Sequence, residues 1–174
     1  MKHIKSRKIF EHQNIKDNTL LIERLERYGI VNYTINNDDT IDVDGSVDLA
    51  NYNLDRIPFC FGVVSGDFYL YRNKLTSLKG SPKEVGGSFD CSSNKLKNLI
   101  GGPQEVGAYY WCIVNELESL EGCAGDIGGN LVCRHNLLEM LDCSSVITGD
   151  IRCESNRFKE EPEFFGICNE IIWK

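Results

Sequence analysis

The stretch GGSFDCSSNKLKNLIGGPQEV, residues 86–106, runs directly into GAYYWCIVNELESLEGCAGDI, residues 107–127, and the two align without a gap. Cys91, Cys112 and Cys133 are 21 residues apart and Cys153 follows after 20, which marks a repeat. In the same register SGDFYLYRNKLTSLKGSPKEV (65–85) comes before the pair and GGNLVCRHNLLEMLDCSSVIT (128–148) after it. GDIRCESNRF opens a fifth copy at Gly149, and DGSVDLANYNLDRIPFCFGVV (44–64) is a weaker one that keeps Val47, Leu49, Leu54 and Ile57 in phase.

Each unit reads G-x-(apolar)-x-(Leu/Cys)-x-x-N-x-L-x-x-L and ends in a turn containing Gly or Pro. Phe68, Phe89, Tyr110, Leu131 and Ile151 stand two residues before Leu70, Cys91, Cys112, Cys133 and Cys153. A period of two puts both sets on one face of a short strand. Leu75, Leu96, Leu117 and Leu138 form the next layer, with Leu78, Leu99, Leu120 and Leu141 behind them. One unit cannot bury so many apolar groups, whereas stacked units bury them against one another. The spacing is that of a leucine-rich repeat, at the short end of its range of about 20–29 residues. The predicted fold is an α+β repeat solenoid, leucine-rich-repeat-like, with short parallel β-strands stacked along a concave face.

The column Asn73, Asn94, Asn115, Asn136 and Asn156 falls where the chain leaves each strand. There a side-chain amide can serve both a backbone N–H and a C=O of neighbouring coils that the turn would otherwise orphan. The cysteine column reads as a row of small buried hydrophobes.

Solenoids need atypical ends to hide their exposed cores. DNTLLIERLERYGI (17–30) offers Asp17 or Asn18 as N-cap, Leu21, Leu25 and Tyr28 at helical spacing, and Gly29 as a stop. In NYTINNDDTIDVDGSVDL (32–49), Tyr33, Ile35, Ile41, Val43 and Val47 alternate with polar residues around NNDD, which predicts a hairpin. EPEFFGICNEIIWK (161–174), with Pro162 placed to start a helical turn, supplies apolar cover at the other end. The expected organisation is one domain over residues 1–174: a basic segment, helix and hairpin cap (1–43), about five to six coils (44–158) and a C-terminal cap (159–174).

A chain that is 41% hydrophobic and 26% charged with four Pro is neither disordered, collagen-like nor membrane-spanning by composition. A net charge of −7 argues against nucleic acid as a partner, which needs a basic face to displace counterions. Lys2, Lys5, Arg7 and Lys8 are too few for that task and read as a solvated tail. The basic start does not run into an apolar segment with a cleavage site, so a cytoplasmic protein with reduced thiols is expected. No C-x-x-C pair suggests structural zinc.

With VDGSVDLANYNL (43–54), VSGDFYLYRNKLTSLKGSPKEVGG (64–87) and DCSSNKL (90–96) in view, the chain resembles the short leucine-rich-repeat-like proteins of bacteriophages and some bacteria. In those proteins a helix and an Asp-rich TIDVDG segment precede repeats of the form GGxFxCxxNxLxSLxGxPxEV, and the resemblance covers roughly residues 17–158. It implies the fold, a phage or bacterial origin and, by context, action on a host protein such as a restriction or other defence component. It implies no reaction. A more distant similarity links NLDRIP (53–58) to the LxxLP segments of secreted bacterial effectors, whose additional catalytic domain has no room here.

No constellation for catalysis stands out. His3 and His12 belong to the irregular N-terminal segment, and period two places Cys133 in the core but His135 at a turn. Asp38, Asp39, Asp42, Asp44 and Asp48 lack the spacing of an EF-hand loop and read as a solvated turn. The Gly-Gly pairs lack the Lys-Ser/Thr of a phosphate loop and recur with the repeat, as coil corners do. Neither enzymatic activity nor a cofactor or metal is expected.

The outward strand positions fall into three columns: Ser46, Asp67, Ser88, Tyr109, Asn130, Asp150; then Asp48, Tyr69, Asp90, Trp111, Val132, Arg152; then Ala50, Tyr71, Ser92, Ile113, Arg134, Glu154. The coil 107–127 departs from its family pattern, since it lacks the turn Pro. It also places Tyr109, Trp111, Ile113 and Val114 where the preceding coil has Ser88, Asp90, Ser92 and Ser93. With Tyr69, Tyr71, Val132 and Arg134, the outward Tyr109, Trp111 and Ile113 make an apolar patch inside a polar rim, the composition of a protein interface. The expectation is a non-enzymatic module, a phage inhibitor binding a host protein in the host cytoplasm, with no nucleic-acid or membrane partner. A structural or scaffold subunit, such as a virion accessory that self-associates into a homo-oligomer through the same patch, is the alternative.

Overall fold

The computed structural model describes residues 14–174. The basic residues Lys2, Lys5, Arg7 and Lys8, and His3 and His12, lie outside the described residues. From Ile41 onward the chain winds as a parallel β-solenoid of about six turns, contributing rungs to two seven-stranded sheets. The second sheet runs, in spatial order, Val47–Asp48, Phe68–Tyr69, Phe89–Asp90, Tyr110–Trp111, Leu131–Val132, Ile151–Arg152 and Ile171–Ile172. Phe68, Phe89, Tyr110, Leu131 and Ile151 are directly opposite one another along it, and all are fully buried. Cys91, Cys112, Cys133 and Cys153 and both leucine layers are buried with them, so the apolar columns expected from period two are the core.

The other sheet was not expected. Its order is Tyr33–Ile35, Ile41–Val43, Phe61–Val64, Glu84–Val85, Glu105–Val106, Asp126–Ile127 and Val146–Ile147. Val64, Val85, Val106, Ile127 and Ile147 join the buried cluster, while Val63, Glu84, Glu105, Asp126 and Val146 face out. What reads in sequence as the turn closing each unit is therefore a second rung. Glycine corners separate the rungs. At Gly107 a side chain would strike the Gly86 carbonyl oxygen, and at Gly128 that of Gly107, so the coils approach there without room for a Cβ.

The asparagine column ties the coils together as expected. Asn115 Oδ1 accepts the Leu96 N–H of the preceding coil at 3.1 Å, while Nδ2 donates to Cys91 O at 3.1 Å and Cys112 O at 3.3 Å. Asn94 and Asn136 repeat the arrangement. The residue just before each Asn takes a left-handed backbone: Arg72, Ser93, Val114, His135 and Ser155 have φ between 53° and 58°.

At the N-terminal end the helix covers Asn14–Arg27, so Asp17 and Asn18 lie within it and do not cap it. Its end is as expected: Gly29 at φ 67° lets the Ile30 N–H reach Leu25 O at 2.9 Å and the Gly29 N–H reach Glu26 O at 2.9 Å. Leu25 and Ile30 are buried in the core, and Tyr28 packs edge-on to Phe59 at 5.6 Å. Arg24 lies over the same ring and donates to Pro58 O at 2.8 Å. The hairpin forms between Tyr33–Ile35 and Ile41–Val43, and its second strand starts the parallel sheet.

The C-terminal segment holds no helical turn after Pro162. Ile167 bridges to Val146, and Ile171–Ile172 pairs in parallel with Ile151–Arg152. Extended chain here accepts the Ile151 and Cys153 N–H groups at Glu170 O and Ile172 O, both 2.8 Å. A helix would leave those edge groups without partners. No described helix is long and apolar enough to cross a membrane.

Candidate protein-binding surface

The outward residues of the second sheet do more than face solvent. Ser46 Oγ accepts the N–H of Asp67 at 3.0 Å, Asp67 Oδ1 that of Ser88 at 2.7 Å, and Ser88 Oγ that of Tyr109 at 3.4 Å. Asn130 Oδ1 likewise accepts the N–H of Asp150 at 2.9 Å. In the third column Ser92 Oγ accepts the N–H of Ile113 at 3.1 Å. Each polar side chain thus ties its coil to the next. Tyr109 and Ile113 carry no acceptor within that reach, so coil 107–127 receives these ties and passes none on.

In their place the coil presents apolar surface. The Tyr109 and Trp111 rings stack with centroids 5.2 Å apart, 6° from parallel, and Tyr109 is 43% exposed. Ile113 is half-buried beyond them. Val114 is 50% exposed with φ 53°, a backbone region that a β-branched residue adopts only under strain. The column reading left Val114 out of the surface. Its signal was an apolar residue at the position held by Arg72, Ser93, His135 and Ser155 in sibling coils.

The other residues divide around this stack. Tyr69 and Tyr71 form an edge-on pair with centroids 6.1 Å apart. The Tyr69 hydroxyl donates to Asp67 Oδ2 at 2.9 Å, and burial together with that bond pushes its pKa up to about 12. Asp90 stands in register between Tyr69 and Trp111, so the aromatic pairs flank a carboxylate. Burial raises the Asp90 pKa, and the Ser92 hydrogen bonds pull it down without offsetting the burial. Arg134 is exposed beside Ile113, its carbonyl accepting the Val114 N–H at 3.2 Å. Val132, expected to widen the exposed patch, is only 5% exposed. It lies in register between Trp111 and Arg152, whose longer side chains flank it, and so belongs to the floor of the site.

The remaining sequence candidates have structural roles. Asp42 Oδ1 accepts the Val63 N–H at 2.8 Å, Asp48 Oδ1 the Ala50 N–H at 2.9 Å, and Asp38 bonds the Thr40 N–H and hydroxyl. Cys133 is buried, whereas His135 is exposed at the left-handed turn, so the two do not form a dyad. All eight cysteines are free thiols. Comparison with protein-family models, with curated proteins and with solved structures finds no match for this chain.

Proposed function

We propose that the protein is a non-enzymatic binding module that docks a partner protein on the outer face of its second sheet, over Trp111. One observation carries this reading: in the outward column Ser46, Asp67, Ser88, Tyr109, Asn130, every residue but Tyr109 ties its coil to the next through its side chain, and at that break the coil presents a stacked Tyr109–Trp111 pair beside the strained Val114. Losing hydrogen bonds and adopting a strained backbone both lower stability, so this arrangement needs a benefit outside the fold. Aromatic side chains bury about 150–250 Å² each and dominate interface energetics. Asp67 and Asp90 beside the rings, on a chain of net charge −7, suit a partner face that offers an apolar side chain next to a basic group.

The units are read as leucine-rich-repeat-like, with helix and hairpin as the N-terminal cap and residues 159–174 as the C-terminal one. The resemblance to phage proteins of this kind supports a phage-encoded inhibitor of a host defence or regulatory protein, acting in the host cytoplasm. The test is affinity capture from host lysate with Trp111→Ala as control: a partner retained equally by both proteins rules out this face. Light scattering across a concentration series addresses the alternative, a scaffold subunit that self-associates, since mass growth abolished by Trp111→Ala would favour it.

A further inference from the structure

Cys123 and Cys143 hold equivalent positions on neighbouring coils, each three residues ahead of the paired Asp126 and Val146. The chain around them is tied on both sides. Asp142 accepts the Leu120 N–H at 2.7 Å and the Ser119 hydroxyl at 2.5 Å. Beyond Cys143, the Ser145 hydroxyl donates to Ala124 O at 2.6 Å and the Val146 N–H to Gly125 O at 2.7 Å. Held this way, the two thiols lie side by side on neighbouring coils, and both line a surface cavity of about 240 Å³. Adjacent coils lie roughly 4.8 Å apart, within the Cα separation of about 4.4–6.8 Å that a disulfide spans.

The two sulfurs are chemically unequal. The Cys123 S–H lowers the Cys143 pKa against the opposing effect of burial. The Ser145 backbone N–H supports it, since the single hydroxyl proton of Ser145 is committed to Ala124. The neighbouring Cys143 sulfur and burial push Cys123 up. In the buried column, burial first, with the nearby Asp90 carboxylate adding to it, pushes Cys91 and Cys112 up, out of reach of solvent.

We propose that Cys123 and Cys143 are a peroxide-oxidisable dithiol site, with Cys143 the attacking and Cys123 the resolving thiol. The Cys143 thiolate attacks one oxygen of a hydroperoxide; the O–O bond breaks, an S–O bond forms, and water or an alcohol departs. The Cys123 sulfur then displaces the oxygen from the Cys143 sulfenic acid, forming the S–S bond and releasing water. Two thiols lose two electrons and two protons, and the peroxide takes both. The cavity's size and the flanking Glu121 and Asp142 carboxylates favour a small neutral hydroperoxide over a bulky anionic disulfide. The cross-link would join the coil that carries Trp111 to the next one, and it rests on observations separate from the docking face.

The test treats the full chain with hydrogen peroxide and maps non-reduced peptides by mass spectrometry over time. The expected product is a Cys123–Cys143 link, two hydrogens lighter, formed several-fold faster than oxidation of the exposed Cys60 and ahead of any change in the buried column. Cys123→Ser should leave a Cys143 sulfenic acid that a cyclic 1,3-diketone traps, while Cys143→Ser leaves residue 123 unlabelled. If Cys60 reacts as fast, if the link joins other cysteines, or if both thiols survive, the assignment fails. The wild-type map decides this even if a serine variant does not fold.

Discussion

Trp111 stands in register with Asp90 on one side and Val132 on the other, so one indole borders both a half-buried carboxylate and a buried valine. One face of the indole is stacked by Tyr109, the residue just before the strand. The pair therefore forms a rigid shelf at the surface, held by the ladder beneath it. Shelves of this kind bind with little loss of side-chain freedom, because stacking has already restricted both rings.

Truncating that shelf should abolish docking while sparing the fold. Trp111→Ala and Tyr109→Ala are each expected to weaken partner binding by about 2 kcal/mol or more, the scale of an interface hot spot. Calorimetric melting should move by a few degrees at most, since the core columns lie on the opposite face of the strand. A variant that binds normally but unfolds early would reverse the assignment of these residues from surface to structure.

Val114 offers a trade between stability and binding. Replacing it with Asn, which tolerates φ near 53° as Asn51 and Asn53 do at 61° and 57°, should raise stability by about 1 kcal/mol. Chemical denaturation measures this directly. The same substitution should weaken docking, because a 50% exposed apolar side chain is lost from the patch. No gain in stability would mean that the backbone strain is absent.

Tyr69 predicts an alkaline limb. Its pKa is raised in the fold, so the native state holds the phenol proton more tightly than the unfolded chain does. The associated stability is complete below the ordinary value of 10.0 and is lost as pH climbs from there towards about 12. Ultraviolet titration should show late ionisation among the partly exposed tyrosines, to which Tyr33 also contributes, with the Tyr69 component absent in Tyr69→Phe and shifted down in Asp67→Asn. Ionisation of Tyr69 together with the exposed phenols would remove the Asp67 hydrogen bond from the account.

The buried Tyr110 hydroxyl lacks a hydrogen-bond partner among the described residues, although Phe68 and Phe89 fill the same column without one. Tyr110→Phe should therefore leave stability unchanged or raise it by about 1 kcal/mol, because it removes an unsatisfied polar atom without changing ring packing. A loss of stability on denaturant melting would reveal a partner for that oxygen.

The core face of the second sheet was legible because its apolar residues recur at two periods at once, two residues within a strand and 21 between coils. The first sheet was hidden because each of its two-residue rungs, from Glu84–Val85 to Val146–Ile147, sends only one side chain inward. In Glu84–Val85 a single valine, set among Pro82, Gly86 and Gly87, carries no alternation to read. The left-handed column was silent for a related reason: Arg72, Ser93, Val114 and His135 are not residues that announce a positive φ. At the candidate surface the alternation put Tyr109 and Trp111 on the outward side of the strand, where Tyr109 is exposed and Trp111 half-buried. Whether Val132 is open depends on side chains 20 or more residues away, which no local pattern reports. The paired thiols escaped notice because Cys123 and Cys143 fall outside the recurring cysteine column.

Asn115 tests the coil ties most sharply. Its amide donates to Cys91 O and Cys112 O and its carbonyl accepts from Leu96, so one side chain serves three buried backbone groups. Asn115→Asp keeps shape and the acceptor but replaces the donor with a second oxygen facing two carbonyls. Each unsatisfied buried group costs about 1–3 kcal/mol, and the ionised acid adds desolvation, so a loss of at least about 3 kcal/mol is expected at neutral pH. Protonation restores a donor to that oxygen, which raises the folded-state pKa of the introduced acid above its unfolded value. The variant should therefore regain part of its stability as pH falls through that raised pKa, whereas Asn115→Ala, with nothing to titrate there, should show no such recovery. Parallel denaturation of both variants across acid pH distinguishes a hydrogen-bonding ladder from mere space filling, because a packing role predicts the same pH profile for the two.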